Sequence, residues 1–131
     1  KEAEAKKFGA HHFLTFDNLS KANGKFDFIL STIHADIDWA AIGLLLRPYG
    51  KLCFVGLPNN DIKFPARLLV SGNRSLCGSG TGSRSLMNEM LTFCARHKIA
   101  PQIELMPMTD VNKAIDKLKA NKARYRIVLH N

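Results

Sequence analysis

The chain is 131 residues long, the size of one compact domain, and 46% hydrophobic with 23% charged residues is a globular balance that excludes a disordered or low-complexity chain. Lys and Arg outnumber Asp and Glu by 19 to 11, a formal charge of +8 that favours phosphorylated cofactors or polyanions as partners. The cations are scattered from Lys6 and Lys7 through Arg47, Lys51, Arg67, Arg74 and Arg84 to the stretch ending at Arg126, which argues for a solvated basic surface over a dedicated nucleic-acid face.

Three cysteines, Cys53, Cys77 and Cys94, lie inside apolar runs without C-x-x-C or zinc spacing. They are expected as buried, reduced thiols, which implies a cytoplasmic setting. No apolar run reaches the roughly 18 residues of a membrane span. The opening KEAEAKKFGA has no apolar signal-peptide core and reads as the middle of a helix.

Lys1–Phe8 consists of strong helix formers and is followed by Gly9, which predicts a helix closing on a glycine cap with no visible start. An uncapped helix running straight into a strand leads us to expect sequence upstream. His12–Phe16 is predicted as a short strand and Asp17–Gly24 as a polar turn or short helix. Phe26–Thr32, FDFILST, is rich in strand formers and is followed by a predicted apolar helix from about Asp38 to Leu46, stopped by Pro48-Tyr49-Gly50. Lys51–Val55 is a continuous apolar strand, as expected for burial on both faces of a parallel sheet. Ser75–Ser79 repeats that pattern after a loop and a helical stretch near Ala66–Ser71.

From Ser83 the period becomes helical, with Leu86, Met87, Met90, Leu91 and Cys94 on one stripe whose simplest role is core packing. Pro101–Met106 is a strand, Thr109–Ala120 an amphipathic helix with Val111, Ala114, Ile115 and Leu118 inward, and Tyr125–Leu129 a closing strand. The alternation predicts an α/β fold with parallel strands.

In an open parallel sheet, ligands sit at the carboxyl ends of the strands. Three such ends are Ser31-Thr32-Ile33, Val55-Gly56-Leu57-Pro58 and Gly78-Ser79-Gly80-Thr81-Gly82. Glycine there lets backbone approach a ring or phosphate closely, although tight strand-to-helix turns account for the same residues. The third glycine of Gly78–Gly82 falls one position early for G-x-G-x-x-G, so this loop is not read as a pyrophosphate cradle. His11 and His12 point to opposite faces of a strand, and His34, His97 and His130 lack ligand spacing. Ser79 and Ser83 do not form a G-x-S-x-G elbow.

The segments KKFGAHHFL, GKFDFILSTI, LLLRPYGKLCFVGLP, RSLCGSGTGSR, MLTFCARHKIAPQIELMPM and VNKAIDKLKANKARYRIVL, in this order, resemble the C-terminal part of zinc-dependent medium-chain alcohol dehydrogenases. The resemblance is strongest to the NADP-dependent, cinnamyl-alcohol-dehydrogenase-like branch. It implies an incomplete Rossmann-type parallel sheet lacking its first strands over residues 1–82, and over 83–131 a return segment that packs on the catalytic domain. It implies an oxidoreductase that interconverts alcohols and aldehydes by hydride transfer with NADP(H).

The resemblance also assigns roles to residues. Thr32 lines the adenosine side, Val55, Gly56 and Leu57 lie against ribose and nicotinamide, and Ser79, Gly80 and Thr81 offer backbone groups to the carboxamide. Arg126 reaches the pyrophosphate, where a planar guanidinium suits a diphosphate. The family's zinc ligands and its G-x-G-x-x-G turn have no counterpart in this sequence, so no residue is read as catalytic or metal-binding and the chain alone is expected to be inactive. The absent central strand leaves an unpaired sheet edge and bare helix faces, which lead us to expect association between copies by strand exchange, and in the resemblance the edge strand near Ser75–Ser79 is the parent's dimer-forming element. Two alternatives stand beside this reading: a small basic α/β module that binds nucleotides or nucleic acid, and part of a zinc-free quinone-reductase-like enzyme.

Overall fold

Two segments, FDFILS and LRPYGKLCF, pair side by side in the computed structural model, which describes residues 1–131. The chain divides into two compact units, Lys1–Thr81 and Gly82–Asn131.

The first unit opens with helix α1 (Glu2–Lys7) and holds a three-stranded parallel sheet in the order β1 (Phe26–Ser31), β2 (Leu46–Phe54), β3 (Ser75–Gly78). Parallel neighbours need crossovers, supplied by α2 (Trp39–Leu44) and α3 (Ala66–Val70). Asp38 starts α2: its carboxylate accepts the N–H groups of Ala40 and Ala41 at 3.0 and 3.1 Å. The core gathers on one face of the sheet, where Leu46 and Leu52 are completely buried with Ala22, Trp39, Ile42 and Leu45. Trp39 packs edge-on against Phe54 with ring centroids 4.9 Å apart. Arg74 locks β2 to α3 by donating to the carbonyls of Leu46 and Leu68, both at 2.9 Å.

His12–Phe16 is not a strand; irregular chain leads into a 3-10 turn over Phe16–Ala22. Strand geometry persists where a neighbouring edge meets its backbone donors and acceptors, and the order β1-β2-β3 sets no partner beside this segment. The second helix ends at Leu44, two residues before the predicted boundary, because Leu45 and Leu46 leave it to fill the core. Strand β2 then starts before the Pro48-Tyr49-Gly50 break. Pro48 cannot donate to the ladder and Tyr49 has φ 62, so the register slips between Phe26 opposite Leu46 and Phe28 opposite Lys51. Burial on both faces holds at the middle of β2, where Leu52 and Cys53 on opposite faces are both buried, but not on β1, whose Phe28 and Leu30, on the face opposite the core, are each 55% exposed.

The second unit contains α4 (Arg84–His97), β4 (Ile103–Pro107), α5 (Val111–Lys119) and β5 (Arg126–His130), with β4 and β5 parallel and α5 as their crossover. Ser83 caps α4 by accepting the Leu86 N–H at 3.3 Å. Glu104 on β4 takes the Lys117 ammonium and the Arg124 backbone N–H, tying strand, helix and following loop together. The predicted core stripe of α4 is open: Leu86, Met87, Met90 and Leu91 are 57%, 41%, 54% and 60% exposed. An amphipathic stripe is buried only by a facing surface, and no buried residue lies on this helix.

The thiols divide as well. Cys53 is buried, Cys94 half-buried and Cys77 exposed, and all three are free, so the expectation of three buried thiols fails for Cys77 on the last strand of the sheet. No helix is long and apolar enough to cross a membrane.

Candidate functional site

Parallel register sets the ends of three strands in one row. Ser31 pairs opposite Phe54, and Phe54 opposite Gly78, so the chain leaves β1, β2 and β3 at Thr32, Val55 and Ser79 side by side. The rows are stitched past the strand ends. The N–H groups of Val55 and Gly56 both donate to the Ser31 carbonyl, at 2.9 and 3.0 Å, and the Ser79 N–H donates to the Phe54 carbonyl at 3.0 Å. The structure therefore brings Thr32, Val55, Gly56, Leu57 and Ser79 to one ledge at the carboxyl edge of the sheet, with Gly80 and Thr81 following Ser79.

Each position has a distinct surface. Val55 and Leu57 expose apolar side chains, while Thr32, Ser79, Gly80 and Thr81 are exposed polar or backbone positions. The Ser79 amide is committed to Phe54, whereas the amides of Gly80, Thr81 and Gly82 in the third loop make no backbone hydrogen bond. A Cβ at Gly80 would meet open space, whereas one at Gly56 would lie 2.6 and 2.7 Å from the Thr32 carbonyl carbon and oxygen and closer still to the Ile33 carbonyl oxygen. Glycine at 56 thus serves the approach of the β1 end to the β2 end.

Two features escaped the sequence reading. Ser31 is buried and its Oγ has no hydrogen-bond partner, a polar atom orphaned beneath the ledge. Its signal was a hydroxyl side chain closing an otherwise apolar run. Asp36, in the loop after β1, accepts the Asn60 backbone N–H at 3.1 Å and its Nδ2 at 2.6 Å, pinning the loop after β2. An acidic residue and an Asn-Asn pair in successive strand-end loops were the available clue.

Arg126 belongs to the second unit, where it opens β5 opposite Ile103. Its side chain is exposed and borders a groove of about 380 Å³ lined by Val111, Ala114, Ile115, Leu118 and Ile127. No three His, Cys, Asp or Glu side chains in the chain come together to hold a metal ion. The donor set fits no zinc centre, which needs three or four such ligands.

The comparisons agree with this architecture. The chain is 37% identical over 132 residues to an aldehyde reductase from Synechocystis sp., covering 98% of this chain and 39% of that protein. It superposes on a cinnamyl alcohol dehydrogenase from Sorghum bicolor with a TM-score of 0.88 at 30% identity, covering 98% of this chain and 37% of that one. A CAD from Helicobacter pylori complexed with NADP(H) gives a TM-score of 0.80 at 31% identity, covering 98% and 38%. The chain thus spans well under half the length of these proteins. A family model described as zinc-binding dehydrogenase matches residues 1–96. With that match over most of its length, and parallel strand ends forming one ledge, the chain belongs to the zinc-binding dehydrogenase family.

Proposed function

We propose that this chain supplies the nicotinamide-side wall of an NADP(H) site in an enzyme that interconverts alcohols and aldehydes. The observation that carries the reading is the row of strand ends at Thr32, Val55 and Ser79, in a family of dehydrogenases and in a chain similar to a CAD complexed with NADP(H). Bound NADP(H) supplies the hydride chemistry.

The residues fit that cofactor in physical terms. Exposed Val55 and Leu57 offer an apolar surface to a flat ring, and the amides of Gly80 and Thr81 can donate to a carboxamide. Thr32 faces the adenosine side in this reading, and the guanidinium of Arg126 takes the diphosphate. The Asp36–Asn60 link holds two of the three loops in place, which lowers the ordering cost of binding. Zinc chemistry is assigned to no residue of this chain.

The test uses the protein in its full cellular length. Titration with NADPH followed by nicotinamide fluorescence is expected to saturate, and NADPH oxidation is expected on addition of an aromatic aldehyde. Saturable binding that is unaffected by Val55→Asp and Leu57→Asp together would sink the assignment of the ledge, and absence of NADPH binding would sink the reading as a whole. The 131-residue chain alone is expected to show no aldehyde reduction.

A further inference from the structure

Arg126 is the first residue of β5, and the chain that delivers it there is gripped from β4. Residues 120–125 are turn and irregular chain between α5 and β5. Within that connection the Arg124 N–H donates to the Glu104 carboxylate, and the Tyr125 N–H donates to the Gln102 carbonyl at 3.5 Å. The other oxygen of Glu104 takes the Lys117 ammonium of α5, so one half-buried carboxylate joins helix, strand and connection two residues before Arg126. Glu104 stands opposite Ile127, and Arg126 opposite Ile103, which puts Glu104 and Arg126 on opposite faces of the parallel pair.

We propose that Glu104 is a positioning residue for cofactor binding, fixing the backbone from which Arg126 meets the diphosphate; this rests on the reading of Arg126 as the diphosphate contact. A guanidinium engages two phosphate oxygens in a fixed fork geometry, so the contact demands a set backbone beneath it. Connections between elements are the mobile part of a fold, and any ordering left until binding is subtracted from affinity. Glu104 does that ordering in advance, through the backbone and without touching the cofactor.

Charge and position act with opposite signs here. The Glu104 carboxylate repels an approaching diphosphate, so loss of its charge by itself strengthens binding. Loss of its oxygens frees the Arg124 amide and loosens the base of Arg126, which weakens binding. Glu104→Ala and Glu104→Gln remove the same charge, but only glutamine keeps an oxygen for the Arg124 N–H. The difference between the two variants isolates the hydrogen bond.

The full-length protein and its variants are titrated with NADPH by nicotinamide fluorescence at neutral pH. Glu104→Ala is expected to raise the Kd about fivefold, and Glu104→Gln to bring it back close to the parent. Glu104→Ala combined with Arg126→Ala is expected to bind no worse than Arg126→Ala alone. In steady-state aldehyde reduction the Glu104→Ala loss is expected in the KM for NADPH and not in kcat. Circular dichroism checks folding, and Glu104→Met, which keeps the volume without an acceptor, gives the same reading should the alanine variant unfold. With Arg126→Ala weakened, three results each overturn the proposal: Glu104→Ala binding as tightly as the parent or more so, Glu104→Gln as weak as Glu104→Ala, or losses that multiply in the double variant. An Arg126→Ala protein with the parent's Kd overturns the diphosphate reading itself, and the proposal with it.

Discussion

The Ser79 amide donates to the Phe54 carbonyl at 3.0 Å, one residue beyond the last paired position of β2 and β3. This bond carries the parallel ladder past the strand ends and holds the start of the Gly78–Gly82 loop against the end of β2. It leaves the next two amides, Gly80 and Thr81, outside the backbone ladder. Ser79→Pro removes that donor and is expected to weaken NADPH binding by about tenfold, roughly the 1 kcal/mol or more of a lost hydrogen bond. Ser79→Ala keeps the amide and is expected to bind NADPH as the parent does. Fluorescence titration of the full-length protein compares the two.

Gly56→Ala drives a methyl group into the backbone of Thr32 and Ile33. Backbone cannot rotate aside as a side chain does, so the β1 and β2 ends must separate, at a cost of about 1–3 kcal/mol. The denaturant midpoint is expected to fall, and the NADPH Kd to rise with it. An unchanged midpoint would show that the strand ends part freely.

Asp38→Ala removes the cap of α2, leaving the Ala40 and Ala41 amides without their carboxylate. The expected loss is about 1 kcal/mol. Asp38→Asn is expected to recover most of it, because an amide oxygen caps nearly as well. Urea unfolding of the three proteins at neutral pH reads the difference.

Arg126→Ala is expected to weaken NADPH and NADH by the same factor, roughly tenfold or more for a charge-assisted contact. A diphosphate contact is common to both cofactors. Selective weakening of NADPH alone would place Arg126 at the 2′-phosphate instead.

Glu104 gives the second unit a pH dependence. The Lys117 ammonium, then the Arg124 backbone N–H, hold its carboxyl below the usual carboxylate range. A depressed folded-state pKa contributes stability that is present above the unfolded carboxylate pKa and is lost as pH falls through the folded value. Urea midpoints of the parent are expected to drop on acidification below the unfolded value, and Glu104→Gln is expected to flatten that part of the profile. Parallel profiles for parent and variant would remove Glu104 as the source.

Local sequence carried much of this architecture. The β-formers of FDFILST, the apolar run at Lys51–Val55 and the helical stripe after Ser83 each announce their element through periodicity, and glycines and prolines mark where strands end. These are short-range properties, and the alternation of elements made a parallel α/β arrangement and its carboxyl-edge ledge legible. What the tertiary structure decided is non-local. His12–Phe16 has strand composition but pairs with no strand, and Leu45 and Leu46 have helical neighbours but a deeper gain in the core. The glycine at 56 was legible as a loop residue, but only the packed chain shows that its missing side chain makes room for the end of β1. The stripe on α4 was legible as apolar, and burial depends on a facing surface that periodicity does not describe. Cys53 and Cys77 are 24 positions apart in the chain, and the register of β2 with β3 alone makes them neighbours.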